Sequence, residues 1–335
     1  MLHSIKGNLS VASAERIMLT ALDHIIIGVH DLEEAALVFS EKLGLAVSGG
    51  GKHPTGGTAN RIIVIGDTYI ELITVDARAE AQQSMLERLD MGEGYLNFAL
   101  ASNDLQADST AIRTRDIMTV GPESGSLTTS DGRSRSWLRT DIERPDLAQH
   151  YPFLIQHDSS GDERRFRLAG WQAPPEHPLG ATKVLSTTIA VADLGEAAQR
   201  FQHIYGLQPS DVFSGEVDSW DALLVSFLLH ESLQSFELAA PLPTFVDPVD
   251  PTALLPEPGA LAAYLQRFGE SLCRTTLAVD SLAASKRYLD AHGVTFTYRD
   301  SPRPVIWIEP DQACGAAIVL HEFTPDLPPD NPLHL

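Results

Sequence analysis

The chain has 335 residues, 43% of them apolar, with 45 acidic side chains against 24 basic ones and a formal net charge of −21. That length suits two domains, each able to bury a core. The acidic balance, with no cluster of Lys and Arg, excludes nucleic-acid binding by phosphate tracking.

Two cysteines, Cys273 and Cys314, are too few for a disulfide framework and point to a reducing, cytoplasmic setting. No apolar run approaches the length of a membrane span, and residues 1–20 lack the continuous apolar core of a secretory signal, reading instead as an N-terminal extension. Residues 22–29 then read as a strand, in which alternation puts His24 on one face with Leu22 and Ile26, and Ile25, Ile27 and Val29 on the other. Asp31 stands where an N-cap is wanted, before a helical pattern from residue 32 that stops near Gly44. The Gly-rich loop 47–61 lacks the lysine spacing of a phosphate-binding loop; its glycines let backbone approach a ligand or form a bulge. In the closing strand 69–75, Glu71 lies between Ile70 and Leu72. A carboxylate there needs a cation, a hydrogen-bond donor or a metal beside it to stay ionised.

The same strand-helix phrase returns at residues 96–105, 189–194 and 277–282, each time leading to an apolar strand, at 152–156, 235–239 and 317–323. Four such units, each roughly 60 to 80 residues long, fix the organisation of the chain. Residues 126–141 read as a polar hairpin, 241–258 as a Pro-rich surface excursion, and 259–268 as a helix. The expected division is an extension over 1–20, a first domain over 21–165, a linker over 166–182, a second domain over 183–325 and a tail over 326–335. His30, His177, His230 and His321 read as surface or turn residues.

A His in the first strand and a Glu in the last strand of a duplicated strand-helix-three-strand unit resemble the vicinal oxygen chelate superfamily. Leu22-Asp23-His24, the run 51–60 with His53, Thr58 and Asn60, and Tyr69-Ile70-Glu71-Leu72 are similar to its glyoxalase-like domain branch over residues 20–185. The resemblance implies an α+β fold of four βαβββ modules, making two tandem cupped mixed sheets as in glyoxalases, bleomycin resistance proteins and extradiol dioxygenases. It also implies a divalent metal (Fe, Mn, Zn, Ni or Mg) held by the first and last strands of paired modules. Those positions are His24 and Glu71 in the first unit, Asn97 and Gln156 in the second, Ser186 and Glu237 in the third, and Arg274 and Val319 in the fourth.

On this reading His24 and Glu71 are ligands and catalytic groups, with His53 or His157 as the third ligand, and Thr58, Asn60, Asn97 and Gln156 line the substrate site. The C-terminal half has lost the metal positions. Bland readings stand beside these: His24 as a core histidine, Glu71 paired with Arg61 or Arg274, Thr58 and Asn60 pinning their loop, and Gln156 making an edge hydrogen bond. The function implied is a metal-dependent enzyme on a small oxygenated substrate, with lyase, isomerase or ring-cleaving dioxygenase chemistry. The alternatives are a metal-free protein that sequesters a small molecule and a metal-free enzyme using His24 and Glu71 as acid and base. Neither a nucleic-acid nor a membrane partner is expected, and a homodimer is left open.

Overall fold

The computed structural model describes residues 17–129, 131–143, 151–214, 222–242, 260–300 and 303–322. The first eight strands are β1 (Leu19–Gly28), β2 (Gly51–Lys52), β3 (Thr58–Ile65), β4 (Thr68–Val75), β5 (Gly94–Ser102), β6 (Thr119–Thr128), β7 (Ser134–Ile142) and β8 (Phe153–His157). They form one sheet in the order β2-β3-β4-β1-β5-β8-β7-β6. Strands β1 and β4 pair in parallel, as do β5 and β8, and the two modules join through the antiparallel pair β1 and β5.

The second sheet repeats this plan with β9 (Ala181–Ala190), β10 (Phe213–Ser214), β11 (Ala222–Leu229), β12 (Gln234–Pro241), β13 (Ser271–Val279), β14 (Phe296–Arg299), β15 (Val305–Ile308) and β16 (Ala317–Glu322). Its order is β10-β11-β12-β9-β13-β16-β15-β14. The α+β architecture of two cupped mixed sheets, with units one and two sharing the first and units three and four the second, is therefore as expected.

One feature of the first strands was not legible in their alternation. In every unit a single extra residue bulges just before the position assigned to the site: Asp23 before His24, Leu96 before Asn97, Leu185 before Ser186 and Cys273 before Arg274. A bulge re-aims neighbouring side chains. In β1 it breaks the period of two, so Leu22 joins Ile25, Ile27 and Val29 in the core while His24 and Ile26 face the other way.

Helices α1 (Leu32–Leu37), α2 (Gln83–Asp90), α3 (Leu105–Arg113), α4 (Gly161–Ala169), α5 (Leu194–Tyr205), α6 (Ala260–Phe268) and α7 (Leu282–Ala291) complete the described elements. Asp31 caps α1 as expected, accepting from the N–H groups of Glu33 and Glu34, but the helix passes at Val38 into a single π-turn that runs to Lys42. Helix α4 runs across the boundary expected at residue 165 between the first domain and the linker; Ser160 caps its start, and Gly170, at φ +75°, ends it. Helix α2 was not anticipated. His177 is buried rather than exposed: Ala46 N–H donates to its Nδ1 at 2.9 Å, and its Nε2 donates to the Val64 carbonyl at 2.9 Å. The tail and all but the first two residues of the Pro-rich tract lie outside the described residues, as do residues 1–16.

The two sheets share one core. Phe236 of β12 stacks on Phe227 at 4.8 Å and meets Phe98 of β5, Phe201 and Tyr205 at 5.9 to 6.0 Å. Buried polar groups cross the same boundary: Tyr95 Oη donates to the Ala317 carbonyl at 2.7 Å, and Tyr205 Oη to the Pro152 carbonyl at 2.6 Å. Gln234 of β12 accepts from Leu22 N–H at 3.0 Å and donates to Thr68 Oγ1 and the Val184 carbonyl, so the second sheet holds the bulged start of β1. The concave face of the first sheet is turned away from this core.

Because the aromatic cluster belongs to both halves, Phe236→Ala should cost about 3 to 5 kcal/mol. In urea titrations followed by far-UV circular dichroism, the whole chain should still unfold in one transition, shifted to lower denaturant. Two separated transitions, one at the wild-type midpoint, would contradict the shared core.

Candidate functional site in the N-terminal cup

The first sheet curls around a cup of about 810 Å³. His24 and Ile26 of β1, Tyr69, Glu71 and Ile73 of β4, Asn97 of β5, alternate residues of β7, and Phe153, Ile155 and His157 of β8 line it. His53 of the loop before β3 and Thr58 at the start of β3 add to the rim.

Behind His24 lies a carboxylate that sequence reading missed. Asp23 is 1% exposed; His24 Nδ1 donates to its Oδ1 at 2.7 Å, His157 Nε2 donates to the same oxygen at 3.0 Å, and Arg164 of α4 donates to Oδ2 at 3.0 Å. Burial works to raise the Asp23 carboxyl, but His157, Arg164 and the hydrogen bonds from both imidazoles outweigh it and hold the group well below its ordinary range. A carboxylate that receives Nδ1–H fixes the tautomer of the neutral ring, which leaves Nε2 as an acceptor. No described residue bonds His24 Nε2, and the ring lines the cup. Tyr69 stacks on His24 at 4.6 Å and Phe153 meets it edge-on at 5.4 Å, so packing sets the plane of the ring as well.

Glu71 is the second buried acid of the cup wall. Asn60 Nδ2 donates to its Oε1 at 2.5 Å, and His53 Nε2 lies 3.6 Å from the same oxygen. Burial raises this carboxyl, yet His53, His24, the Asn60 hydrogen bond and Arg135 together bring it below its usual value, so Glu71 is ionised. Neither arginine considered from sequence is its partner: Arg61 pairs with Glu33, and Arg274 with Glu237. His53 Nδ1 meets Thr58 Oγ1 at 2.8 Å, while Asn60 Oδ1 accepts from Gly51 N–H at 3.0 Å. Thr58 and Asn60 thus hold the loop and orient His53 and Glu71. The loop lies so close to β3 that a Cβ on Gly50, at φ +100°, would sit 1.8 Å from the Asn60 carbonyl oxygen.

The remaining expected positions divide. Asn97 lines the cup, with its amide donating to the Tyr151 carbonyl at 3.1 Å and accepting from Phe98 N–H at 2.9 Å. Gln156 is turned away, accepting from Leu105 N–H and donating to the Asn103 carbonyl, so it secures the start of α3 and does not line the cup. His157, weighed as a third ligand, is instead a donor to Asp23.

The donor types of His24, His53 and Glu71 suit a divalent ion, and a catalytic metal site takes three protein ligands. His53 and Glu71 approach one another with the Asn60 amide against both, and His24, held through Nδ1 by Asp23, acts on Glu71 from the same cup wall without closing a three-ligand cluster. Among the described residues, no three His, Cys, Asp or Glu side chains are arranged to hold a metal ion. The metal set expected from resemblance is therefore not assembled here.

Among the described residues of the second sheet, the positions equivalent to His24 and Glu71 are occupied by a buried ion pair. Arg274, at the position of His24, is fully buried; its Nη2 donates to Glu237 Oε2 at 2.8 Å, and Thr188 Oγ1 donates to the same oxygen at 2.7 Å. Helix α6 closes over this region with Leu261 against Cys273 and Leu224. No helix among the described residues is long and apolar enough to cross a membrane.

With this geometry in view, the comparisons with known proteins are informative. The family model described as "Glyoxalase-like domain" matches residues 22–205, more than half of the chain. The chain belongs to the glyoxalase-like domain family. As a member of the vicinal oxygen chelate superfamily, this glyoxalase-like protein is similar in fold to a hypothetical protein from Staphylococcus aureus, with a TM-score of 0.60 at 14% identity over 90% of this chain and 99% of that one. It is also similar to a mutant of 4-hydroxymandelate synthase from Streptomyces coelicolor (TM-score 0.59, 13% identity, 91% and 93% of the chains). A third fold relative is the Mn(II)-bound glyoxalase from Novosphingobium aromaticivorans (0.53, 12%, 91% and 82%). A comparison with curated proteins finds no match.

The buried carboxylate makes a prediction about stability. An unfolded Asp titrates near 3.8 and the folded Asp23 lower, so its contribution is whole above that value and is lost as pH falls through the folded one. Replacing Asp23 with Asn should destabilise the glyoxalase-like protein by about 3 kcal/mol at neutral pH, since it leaves Arg164 and two imidazoles facing a neutral amide. The difference between variant and wild type should shrink in acid denaturation series below the ordinary carboxylate range. A difference that is constant with pH would contradict the assignment.

Proposed function

We propose that the cup is the active site of an enzyme that moves a proton on a substrate carbon next to a carbonyl group, an isomerase- or lyase-type reaction that needs no metal. The observation that supports it most is the Asp23–His24 pair: a buried carboxylate receiving Nδ1–H, with Nε2 open to a ligand-sized cup.

In this reading His24 Nε2 takes the proton as general base, and the imidazolium so formed is stabilised by Asp23 at 2.7 Å. Glu71, ionised and steadied by Asn60, is a second base on the same wall, able to receive or return a proton at the neighbouring carbon. Burial, with Asp23 adding to it, pushes the Tyr69 phenol well above its ordinary value, so it remains a protonated donor for the oxygen on which enolate charge develops. Ile26, Ile73 and Ile155 keep the wall dry around these groups, which strengthens each electrostatic contact.

The test is wash-in of deuterium at carbon, followed by proton NMR in D₂O, across small aldehydes, ketones and oxo acids. At least one should exchange with the wild type. His24→Ala and Glu71→Gln should slow it by about 10² to 10⁴-fold, His230→Ala should leave it unchanged, and prior treatment with EDTA should not alter the rate. Loss of exchange on chelation with recovery on adding Mn²⁺ would overturn the metal-free reading in favour of the metal-dependent one. Binding without exchange in any compound would overturn catalysis and leave a sequestration protein.

A further inference from the structure

Arg135 of β7 is 6% exposed, yet it has no hydrogen bond or ion pair with any described residue. It lies on the cup side of its strand with Trp137, Arg139 and Asp141, and its guanidinium carbon sits 5.8 Å from the Trp137 ring centre, a distance at which a cation–π contact is weak. Of the other arginines near the cup, Arg88 donates to the Gly92 carbonyl at 2.7 Å and lies over the Phe268 ring. Arg139 makes a two-pronged pair with Asp141 at 2.7 and 2.8 Å, and Arg164 is spent on Asp23. The acids nearest Arg135 in sequence are also taken: Asp131 by Arg133, and Asp158 by Ser136 and Arg167. Glu71 has His53 at 3.6 Å; Arg135, farther off, helps to hold it ionised without forming an ion pair with it.

A guanidinium this far withdrawn from bulk water, with only a longer-range attraction to Glu71 and no hydrogen bond to a described residue, gains from a negative group brought directly against it. The nitrogens of Arg135 are absent from the buried atoms that lack a partner, so they open onto the cup.

We propose that Arg135 is the anchor for a carboxylate carried by the ligand of the cup. The planar fork of a guanidinium matches the two oxygens of a carboxylate. A guanidinium facing a wall that already carries ionised Glu71 suits a monoanion better than a phosphate dianion. Trp137, Phe153, Ile155 and Leu96 offer apolar surface for the rest of the molecule, and Phe153, edge-on to His24, leads from that surface to the proposed base. The substrate class is then a small carboxylic acid with an apolar or aromatic body. This inference rests on the cup being the ligand site of the proposed function, but not on the proton-transfer chemistry.

Isothermal titration of the full chain with 3-phenylpropionate, its neutral amide and phenyl phosphate separates the cases. The wild type should bind the acid about tenfold or more tightly than the amide, and more tightly than the phosphate. Arg135→Gln should erase the preference for acid over amide, while Arg135→Lys, which keeps the charge, should retain part of it. His24→Asn, which stops the proposed reaction, should leave the preference in place, so failed catalysis and failed anion recognition give different results. Equal affinity for acid and amide, no measurable affinity for either, a preference for phosphate, or a preference that survives Arg135→Gln would overturn the carboxylate site.

Discussion

The site depends on one buried carboxylate. Asp23 brings together β1, β8 and α4 through His24, His157 and Arg164, and the backbone that presents it is bulged and held by Gln234 from the other sheet. Without the bulge, Asp23 would follow the strand's alternation to the opposite face from His24. With it, the acid lies directly behind the ring it orients. One local irregularity therefore sets the direction of a lone pair, the position of a helix and the contact between two domains.

The two sheets show how one plan yields an open site and a filled one. Each unit places a bulged first strand beside a parallel closing strand, so each has a position equivalent to His24 and another equivalent to Glu71. In the first sheet these hold side chains with partners on one flank and cup on the other. In the second, Arg274 and Glu237 satisfy each other at 2.8 Å beneath α6. The Arg–Glu pair is buried and hydrogen-bonded, with Thr188 donating to the same Glu237 oxygen. The second sheet contributes instead to stability and register, through the aromatic cluster around Phe236 and through Gln234.

Much of the architecture was legible because repeated apolar periodicity encodes strand and helix, and four repetitions of one phrase encode the pairing of modules. The residues His24, Glu71 and His53 were legible as polar groups in apolar or Gly-rich surroundings. What was not legible depends on non-local geometry. Asp23 was hidden because the bulge shifts the alternation, and nothing in residues 22–29 alone announces it. Arg135 sat in a stretch read as a polar hairpin, where its burial depends on strands far away in sequence. Gln156 was placed in the cup by analogy, yet the closing strand directs it to α3. The three residue types named for a metal do share the cup wall, but no cluster of three ligands forms among the described residues, because the Asn60 amide lies between His53 and Glu71.

The most direct measurement of the central claim is the tautomer of His24. Nitrogen-15 NMR of histidine-labelled protein, with the resonances assigned by His24→Gln and His157→Gln, reads which ring nitrogen carries the proton. Neutral His24 should be protonated at Nδ1 with a free Nε2 lone pair, His157 should be protonated at Nε2, and Asp23→Asn should disturb both together. A neutral His24 protonated at Nε2, or one indifferent to Asp23, would contradict the account.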